Sequence, residues 1–467
     1  MSTDTPEQSE VMEKRLRRKV DLRLCTICGL LCSLNLVDSG ILSSASVTSM
    51  FDDLGLYGNR YSVSIFIFSI TLLAGQFPTT MATRWLGPRL LLSSTTFCFG
   101  MVTLCTAFIQ NWQQMIAMRA LLGLFVSGAL PGSNYLVSAW YRRNEQAFRF
   151  AYLQFSQCCI MATSILISFG LNHLDGRAGL RGWQWMFLVH GIAASIIGIV
   201  TYWWMVDFPE NSQSSFCFLS EEESQLAVKR LQNDKQVVIA ERFRWSTIAI
   251  NLLDLKTYFF CVLAFTNNMA STSLSYFLPI IIKGMGFDSN TSMLLSTPPY
   301  YWSIIPLLIT SFLGDRFRLR GPFVIFNSIC IIVGLLMVSQ PPENQVARRF
   351  SGCFLATGGY VSNYTMQSAY LANNMIDQWK RATTIAAAGV FYSLGTVAGS
   401  YLVRQQEAPQ YPTAVWSNTA MNALSVCLVG IMSLHFYIRN RQQRNGQRTI
   451  QNIVFSSLET FIVRIVN

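Results

Sequence analysis

Asp38 is the first residue of this chain whose surroundings indicate chemistry. It lies in the stretch LNLVDSG, and no other charged side chain occurs between residues 24 and 47. Arg119 stands equally alone in the apolar run 114–139. An ionisable side chain inside a membrane is costly, so it normally faces a partner or water. Counted at about 1.5 Å per helical residue, Asp38 lies roughly 21 Å above one membrane face and Arg119 roughly 9 Å below the other. In a core of about 30 Å these depths are similar, and we expect the two side chains to approach each other.

Uncharged polar side chains within the apolar runs form a second set of candidates. Amides and phenols donate and accept hydrogen bonds without charge, which suits a small polar ligand. Gln154 and Gln157 lie one helical turn apart, and Asn363 and Gln367 also share a helix face. The alternative for each is a hydrogen bond between helices, worth about 0.6 kcal/mol in a membrane. The substrate-binding candidates are Asn134, Tyr135, Gln154, Gln157, Asn267, Tyr276, Asn363, Tyr364 and Gln367.

Membrane-spanning helices are needed to position these side chains, and the composition predicts them. Of 467 residues, 51% are hydrophobic and only 13% are charged, against about 25% charged residues in a soluble chain. Apolar runs of about 18–25 residues, long enough to cross a bilayer, recur along the sequence. We therefore predict an all-α polytopic membrane protein with twelve spans, at residues 24–44, 60–81, 90–109, 114–139, 150–171, 184–206, 257–281, 294–314, 322–339, 350–374, 383–403 and 415–437.

The connections predict the orientation of the chain. With both termini in the cytoplasm, most of the 35 Lys and Arg fall on the cytoplasmic side, as the positive-inside rule requires. Topology thus accounts for the net charge of +11 without any nucleic acid. Asn290, in the sequon Asn-Thr-Ser, then lies outside and is a glycosylation candidate. In the hydrophilic loop 207–256, Ser220 and Glu223 have the spacing of a capping box, which predicts a short helix there.

Other classes of function lack the residues they need. The 12 cysteines lie mostly within apolar runs and no CxxC pair has a partner at zinc spacing, so we expect neither a metal site nor a disulfide framework. The 3 histidines are scattered. Without a nucleotide-binding loop or a nucleophile–base set, we expect no cofactor, no ATP drive and no enzyme.

An internal repeat divides the chain into two similar halves. PTTMATRWLGPRLLL follows the second span and TSFLGDRFRLRGPFVIF follows the eighth, and both contain Gly-Pro beside Arg in a tight basic turn. Two homologous six-helix bundles are typical of an alternating-access transporter, with the binding site between them.

Further motifs carry a family resemblance over roughly residues 15–440. They include RKVDLRL, FDDLGLYGNRYS, GALPGSNYLVSAWYRRNEQAFR, FLPIIIKGMGF and GDRFRLRG, in that order. The chain resembles the major facilitator superfamily and, within it, the fungal allantoate permease-like branch of the anion:cation symporters. The resemblance implies two pseudo-symmetric six-helix bundles. It also implies proton-driven uptake of small organic anions or amides, such as ureido acids or vitamins, across the plasma membrane.

Two positions depart from the pattern of this branch. Members typically carry an Asp-Arg pair in span 1, where this chain has Asp38 followed by Ser39. Many carry a Glu in span 4, where this chain has Val126. A guanidinium is a natural partner for a substrate carboxylate. Its loss from span 1 makes a neutral or weakly acidic substrate more plausible than it is for the branch as a whole.

The resemblance also assigns possible roles to the charged residues. Spans 1 and 4 line the cavity in this family, so protonation of Asp38 would weaken its attraction to Arg119 and couple proton movement to rocking of the bundles. Alternatively, the pair is static and holds the two helices together in every state. The family further implies a cytoplasmic gate, whose members here are Arg84, Arg89, Asp315, Arg316 and Arg320.

The predicted organisation follows from these observations. Residues 1–23 and 439–467 form cytoplasmic tails, 24–206 and 257–438 the two bundles, and 207–256 the loop that joins them. The pattern of residues 446–467 is consistent with an interfacial helix or with a mis-spliced reading frame. We expect a monomer in the plasma membrane that transports a small molecule together with protons. An exporter or uncoupled facilitator is the first alternative, and a transport-deficient nutrient sensor is the second.

Overall fold

The computed structural model describes residues 6–141, 143–208, 218–221, 223, 226, 251, 254–317, 320–342, 345–374, 378–403, 405–407 and 410–444. At some helical positions, Arg84 and Asp315 among them, only the backbone is described. The tail 446–467 and most of the loop 207–256 lie outside the described residues.

All regular secondary structure among the described residues is helical. The α-helices are α1 (Pro6–Val20), α2 (Thr26–Ala45), α3 (Met50–Asp53), α4 (Arg60–Leu86), α5 (Pro88–Thr106), α6 (Trp112–Val126), α7 (Ala129–Trp140), α8 (Arg143–Asn172), α9 (Gly182–Trp204), α10 (Leu255–Lys283), α11 (Ser289–Phe317), α12 (Gly321–Ser339), α13 (Val346–Asn374), α14 (Gln378–Leu402) and α15 (Pro412–Arg444). A π-helical turn, Asp21–Cys25, joins α1 to α2.

Twelve long helical segments in this list correspond to the twelve predicted spans. Nine of the described segments are long and apolar enough to cross a bilayer by length and composition. The other three, α10, α11 and α13, have 29 residues each and are about 44 Å long. In α10 the polar residues that reduce the hydropathy, such as Asn267, Ser271 and Ser275, are buried inside the protein.

Span 4 differs from its prediction as one continuous helix over 114–139. The structure divides it into α6 and α7 at Ser127 and Gly128. Pro131 follows within the first turn of α7. Because proline has no backbone N–H and its ring clashes with the carbonyl four residues earlier, it favours a break at Ser127.

Equivalent helices pair in the two halves. In the first half α2 packs on α8, α4 on α6, and α5 on α9; in the second half α10 packs on α14, α11 on α13, and α12 on α15. Numbered by span, these pairs are 1–5, 2–4 and 3–6, repeated as 7–11, 8–10 and 9–12. The molecule is therefore two pseudo-symmetric six-helix bundles, which meet mainly through α8 with α11, α4 with α14, and α2 with α10.

The apolar core shows which end of the molecule is closed. We call the end that holds α1 and the last residues of α15 the terminal end and the opposite end the distal end. At the distal end one cluster combines residues of both halves, including Ile41, Tyr61 and Phe277. At the terminal end each half has its own cluster, one containing Leu24 and Leu136 and the other containing residues of α10, α12 and α13. Among the residues that the structure describes, the halves thus share an apolar core at the distal end and not at the terminal end.

Candidate functional site

Asp38 and Arg119 form an ion pair between α2 and α6. Arg119 Nη1 donates to Asp38 Oδ2 over 2.5 Å, and both side chains are 0% exposed. The pair lies near the distal closure, since Ile41 and Met115, each about one helical turn from a member of the pair, belong to the apolar cluster that the two halves share. The helix depths estimated from the sequence predicted that these two side chains approach each other, and in the structure they do, although they are 81 residues apart.

The ion pair leaves several of its own polar atoms without partners. Asp38 Oδ1 and Arg119 Nε and Nη2 are buried and have no hydrogen-bond partner among the described residues. The Phe68 ring lies over the guanidinium, with its centroid 5.9 Å from Cζ. A buried donor left unsatisfied costs about 1–3 kcal/mol, and more when it is charged. A single hydrogen bond holds the two side chains together, unlike the two parallel hydrogen bonds of a bidentate arginine–carboxylate pair.

Close packing of α4 on α6 positions Arg119. One turn beyond it lies Gly123, where a Cβ would collide with the carbonyl oxygen of Phe68 and the hydroxyl of Thr71. Only glycine permits this approach, which brings the Phe68 ring to the guanidinium. Ser39, the position at which the family resemblance implies arginine, faces α8 instead: its hydroxyl donates to Leu36 O and lies 3.8 Å from Met161 Sδ. Val126, the position at which the resemblance implies glutamate, is buried in the apolar cluster of the first half.

Hydrogen bonds between the halves close the distal end beside this pair. The Tyr61 hydroxyl donates to the Tyr276 carbonyl over 3.1 Å, and the Ser62 hydroxyl donates to Val403 O over 3.0 Å. Sequence reasoning proposed the Tyr276 side chain as a substrate contact but missed Tyr61. Tyr61 lies in the motif FDDLGLYGNRYS, but the motif does not indicate its partner, which is a backbone atom 215 residues away.

Two more hydrogen bonds between the halves lie at the distal end and involve residues near the predicted loops. Lys283 Nζ donates to Val47 O over 3.0 Å, and Asn172 Nδ2 donates to Asn290 Oδ1 over 2.6 Å. Lys283 lies just beyond the predicted span 257–281, but nothing in the sequence indicates that its partner is a backbone carbonyl of the other half. Asn290 is thus both the sequon residue and a contact between the halves.

The polar candidates of the second half have different surroundings. Asn363 Nδ2 donates to Ser328 Oγ over 3.1 Å, a bond between α13 and α12 of the kind that stabilises a bundle. Asn267 Oδ1 and Gln367 Nε2 are buried without a partner among the described residues. Tyr364 is only partly buried, and its ring lies 5.6 Å from that of Tyr392.

The candidates of the first half lie at two depths: Asn134 and Tyr135 towards the terminal end, and Gln154 and Gln157 near the middle of α8. Tyr135 packs its ring against Phe208 at the terminal end, and the carbonyl of neighbouring Asn134 accepts a hydrogen bond from Ser138. Gln154 and Gln157 lie in α8, where Gln154 is 9% exposed and Gln157 is partly buried. The structure does not gather the nine candidates into one cluster with Asp38 and Arg119.

The predicted cytoplasmic gate residues lie at the terminal end. Arg89 Nε donates to Tyr202 O over 2.6 Å, so its described bonds lie within the first half. Arg316 is exposed and Arg320 is partly buried. The side chains of Arg84 and Asp315 lie outside the described part of the chain.

A network of ion pairs and hydrogen bonds lies at the terminal end. The sequence predicted only the capping box within it. Ser220 and Glu223 exchange the two reciprocal hydrogen bonds of that motif, as their spacing predicts. Lys19 from α1 binds both oxygens of Glu223, at 2.6 and 2.9 Å. Arg149 similarly binds Asp21 through two bonds. Helix α1, Pro6–Val20, which precedes span 1, is therefore docked against the rest of the protein.

Comparison with known proteins identifies the family. A sequence model of the Major Facilitator Superfamily matches residues 28–400. The chain belongs to the Major Facilitator Superfamily. As a member of this superfamily it is an integral membrane transporter and not an enzyme.

Curated relatives in the superfamily cover almost the whole chain. The high-affinity nicotinic acid transporter of Saccharomyces cerevisiae is 28% identical over 443 residues, which are 94% of this chain and 81% of that protein. The major facilitator-type transporter hxnP of Emericella nidulans is 28% identical over 457 residues, 96% of this chain and 90% of that protein.

Solved superfamily structures share the fold. The xylose transporter XylE from E. coli, in a partially occluded inward open conformation, matches with a TM-score of 0.66 at 14% identity, over 88% of this chain and 97% of that one. A bacterial homologue of the human lysosomal transporter Spinster, inward-facing and occupied, matches with a TM-score of 0.62 at 11% identity, over 89% and 96%. At these identities the likeness concerns the fold alone.

Proposed function

We propose that this chain takes up a small polar organic metabolite together with protons across the plasma membrane, by alternating access. The observation that carries the proposal is the buried Asp38–Arg119 pair, held by one hydrogen bond beside the closure of the two halves. A proton on Asp38 would remove the charge that holds Arg119. Because a buried charge needs a partner, this change would alter the balance between the two states of the bundles.

The topology belongs to the same proposal. We place both termini in the cytoplasm, on the charge distribution of the connections, so that the terminal end faces inward. The shared distal core and the separate terminal cores then correspond to an inward-facing state. Rocking would move residues 24–206 against residues 257–438. Since one chain contains the complete ion pair and both sides of the closure, we propose a monomer.

Substrate class rests on resemblance and on the relatives. The proposed branch is that of the allantoate permease-like proteins, whose substrates are organic anions, ureido acids, vitamins or amides. A curated relative of similar length is named as a nicotinic acid transporter, which makes nicotinate the first compound to test. An uncoupled facilitator or exporter is the second candidate. It is favoured by Val126, which leaves α6 without a carboxylate beside Arg119.

Uptake in cells that express the chain tests this proposal. The panel consists of labelled nicotinate, allantoate, biotin, a dipeptide and a neutral amide, assayed across pH with and without a protonophore. We expect uptake of one compound that collapses with the protonophore and in Asp38→Asn, but not in Asp52→Asn, which changes an exposed distal carboxylate. Uptake that is indifferent to both treatments would identify a facilitator and leave Asp38 a structural residue.

A further inference from the structure

Helix α1 divides its cations between two faces. Lys19 turns towards the protein, where its Nζ lies 2.6 Å from an oxygen of Glu223. Lys14 and Arg18 are exposed, and because they are four residues apart they share the outer face of the helix. We infer that this outer face of α1, together with the apolar surface beside it, binds an anionic phospholipid. The inference goes beyond the proposed transport function, since it names a partner of the protein and not its substrate.

The helix itself sets the depth of these cations. α1 continues through the π-helical turn into span 1, and the backbone is helical at Val20 and Thr26, on the two sides of that turn. Arg18 lies six residues before Leu24, where the predicted span begins, which is about 9 Å along a helix. The headgroup layer outside the hydrocarbon core is roughly 5–8 Å thick, and an arginine side chain can extend towards it. Arg18 is therefore placed at the level of the lipid phosphates.

An apolar surface lies directly beside this level. Leu22, in the π-helical turn, is 60% exposed, and Trp204, at the end of α9, is 48% exposed. Arg23 joins the two, because it follows Leu22 in the chain and its Nε donates to the Trp204 carbonyl over 3.0 Å. Its Cζ also lies 5.5 Å from the centroid of the Trp204 ring. Tryptophan is typical of the membrane interface, so this surface offers contacts for acyl chains next to cations for a headgroup.

The acidic side chains near α1 do not neutralise its outer face. Three of them, at the terminal end, are each engaged by another cation. The pairs are Asp21 with Arg149, Glu145 with Arg17, and Glu223 with Lys19. The acids of α1 itself, Glu7, Glu10 and Glu13, precede the cations in the chain and so lie farther from span 1. The charge that α1 presents next to the membrane is therefore positive, which complements an anionic headgroup.

A phospholipid matches this surface better than a soluble anion does. A soluble anion would bind Lys14 and Arg18 but would make no use of the exposed Leu22 and Trp204. A neutral lipid would cover the apolar side chains but would gain nothing from the cations. In the proposed orientation the surface meets the cytoplasmic leaflet, where anionic lipids are concentrated.

Melting of the purified full-length protein in detergent tests the inference, because a ligand that binds the folded protein raises its melting temperature. Increasing amounts of phosphatidylserine, of phosphatidylcholine or of glycerophosphoserine are added; the last has the headgroup but no acyl chains. The test variant combines Lys14→Gln with Arg18→Gln. The control combines Arg177→Gln with Arg348→Gln, which removes two exposed cations at the distal end.

We expect phosphatidylserine to raise the melting temperature of wild type and control by several degrees more than phosphatidylcholine does. Glycerophosphoserine should have no effect. In the test variant, the concentration of phosphatidylserine that gives half of the rise should increase roughly thirtyfold, which corresponds to about 1 kcal/mol for each cation removed.

A second measurement does not depend on the variant folding. Raising the ionic strength from about 0.1 M to about 1 M shortens the Debye length from about 10 Å to about 3 Å. In wild type this should remove most of the advantage of phosphatidylserine over phosphatidylcholine. An advantage that persists at high salt, equal effects of the two lipids, or an equal effect of glycerophosphoserine would each overturn the inference.

An advantage that the test variant retains in full would overturn it too, and would assign the effect to the net positive charge of the whole protein. The uptake assay tests the proposed function separately, because none of these melting experiments contains a transported compound.

Discussion

The Tyr61 hydroxyl joins the two halves of the molecule by donating to the Tyr276 carbonyl. Tyr61→Phe removes this bond and keeps the ring that packs edge-on against Phe277 at 5.4 Å. A hydrogen bond between membrane helices is worth about 0.6 kcal/mol. We therefore expect the variant to shift the equilibrium about threefold towards the state that is open at the distal end.

Spin labels at the exposed distal positions Asn59→Cys and Gln406→Cys, one in each half, report this shift as a larger share of long distances. The labels require removal of the exposed Cys105 and Cys427. The control is Tyr57→Phe, because Tyr57 is 62% exposed. Identical distance distributions in Tyr61→Phe and wild type would show that this bond does not contribute to closure.

Measurements of thermal stability distinguish the contribution of the ion pair to folding stability from its role in proton coupling. Asp38→Asn leaves Arg119 charged and buried without its counter-ion, and breaking a buried pair in this way costs about 3–5 kcal/mol. We expect a large loss of thermal stability in detergent. The double variant Asp38→Asn with Arg119→Gln should recover most of it, yet transport should stay uncoupled. A double variant as unstable as Asp38→Asn alone would contradict this account.

The contact between Lys19 and Glu223 should be sensitive to pH. Partial burial opposes ionisation of Glu223, but the hydrogen bonds from Lys19 and from the Ser220 backbone amide outweigh it and lower the pKa of the carboxyl. A lowered folded-state pKa means that the contact stabilises the protein above the unfolded-state value of about 4.3. That contribution is lost as the pH falls through the folded-state pKa.

Glu223→Gln should thus be less stable than wild type at pH 7, by about 0.5–1 kcal/mol for a partly exposed pair. The difference should vanish at acid pH. Thermal melts of both proteins from pH 7 down to the lowest pH they tolerate measure it, with Glu221→Gln, an exposed neighbour, as control. A deficit that is constant with pH would exclude the ion pair as its cause.

Helix α14 contains two glycines, Gly389 and Gly395, whose surroundings differ. A Cβ at Gly395 would lie 2.5 Å from the Phe265 carbonyl oxygen of α10, whereas one at Gly389 would meet nothing within 4 Å. Overpacking costs about 1–3 kcal/mol, so Gly395→Ala should lower the melting temperature by several degrees. Gly389→Ala should match or slightly exceed wild type, because alanine favours a helix. Equal melting temperatures would contradict the close approach of α14 to α10.

Glycosylation at Asn290 tests the orientation. If the distal end faces outward, the sequon is accessible to the glycosylation machinery of the secretory pathway. We then expect an endoglycosidase-sensitive mobility shift that Asn290→Gln abolishes. The hydrogen bond from Asn172 uses Oδ1, and Nδ2 is the atom that would carry the glycan. A sequon that is never modified would remove this support for the outward distal end.

Periodicity and charge predicted much of the fold. All twelve spans were located, because long apolar runs between polar turns have few alternatives in a bilayer. The turn after α4 follows its sequence closely: Gly87 adopts a φ of 81° and Pro88 begins α5. The break in span 4 was not predicted, although Gly128 and Pro131 are visible in the sequence, because the hydrophobic pattern runs on across them.

The site could be predicted only in part. Depth counting brought Asp38 to Arg119 because both are lone charges in helices of known direction. It gave no information about Tyr61, Ser62 or Lys283, whose partners are backbone carbonyls in the other half. A carbonyl is present at every residue, so no pattern of side chains identifies the one that is used. Contacts of this kind depend on how the two bundles meet, which a single sequence does not encode locally.

The small free energy of the hydrogen bonds at the distal closure affects the rate of the transport cycle. Four of these hydrogen bonds, from Tyr61, Ser62, Lys283 and Asn172, are together worth about 2.4 kcal/mol at the average for membrane helices. These bonds alone contribute a bias of roughly fiftyfold, in addition to that of the shared apolar core, and a ligand of modest differential affinity can offset their contribution. A closure built from stronger ion pairs would hold one state for longer and lengthen every cycle. Single hydrogen bonds, three of them to backbone carbonyls, instead hold the distal end closed more weakly and allow faster turnover.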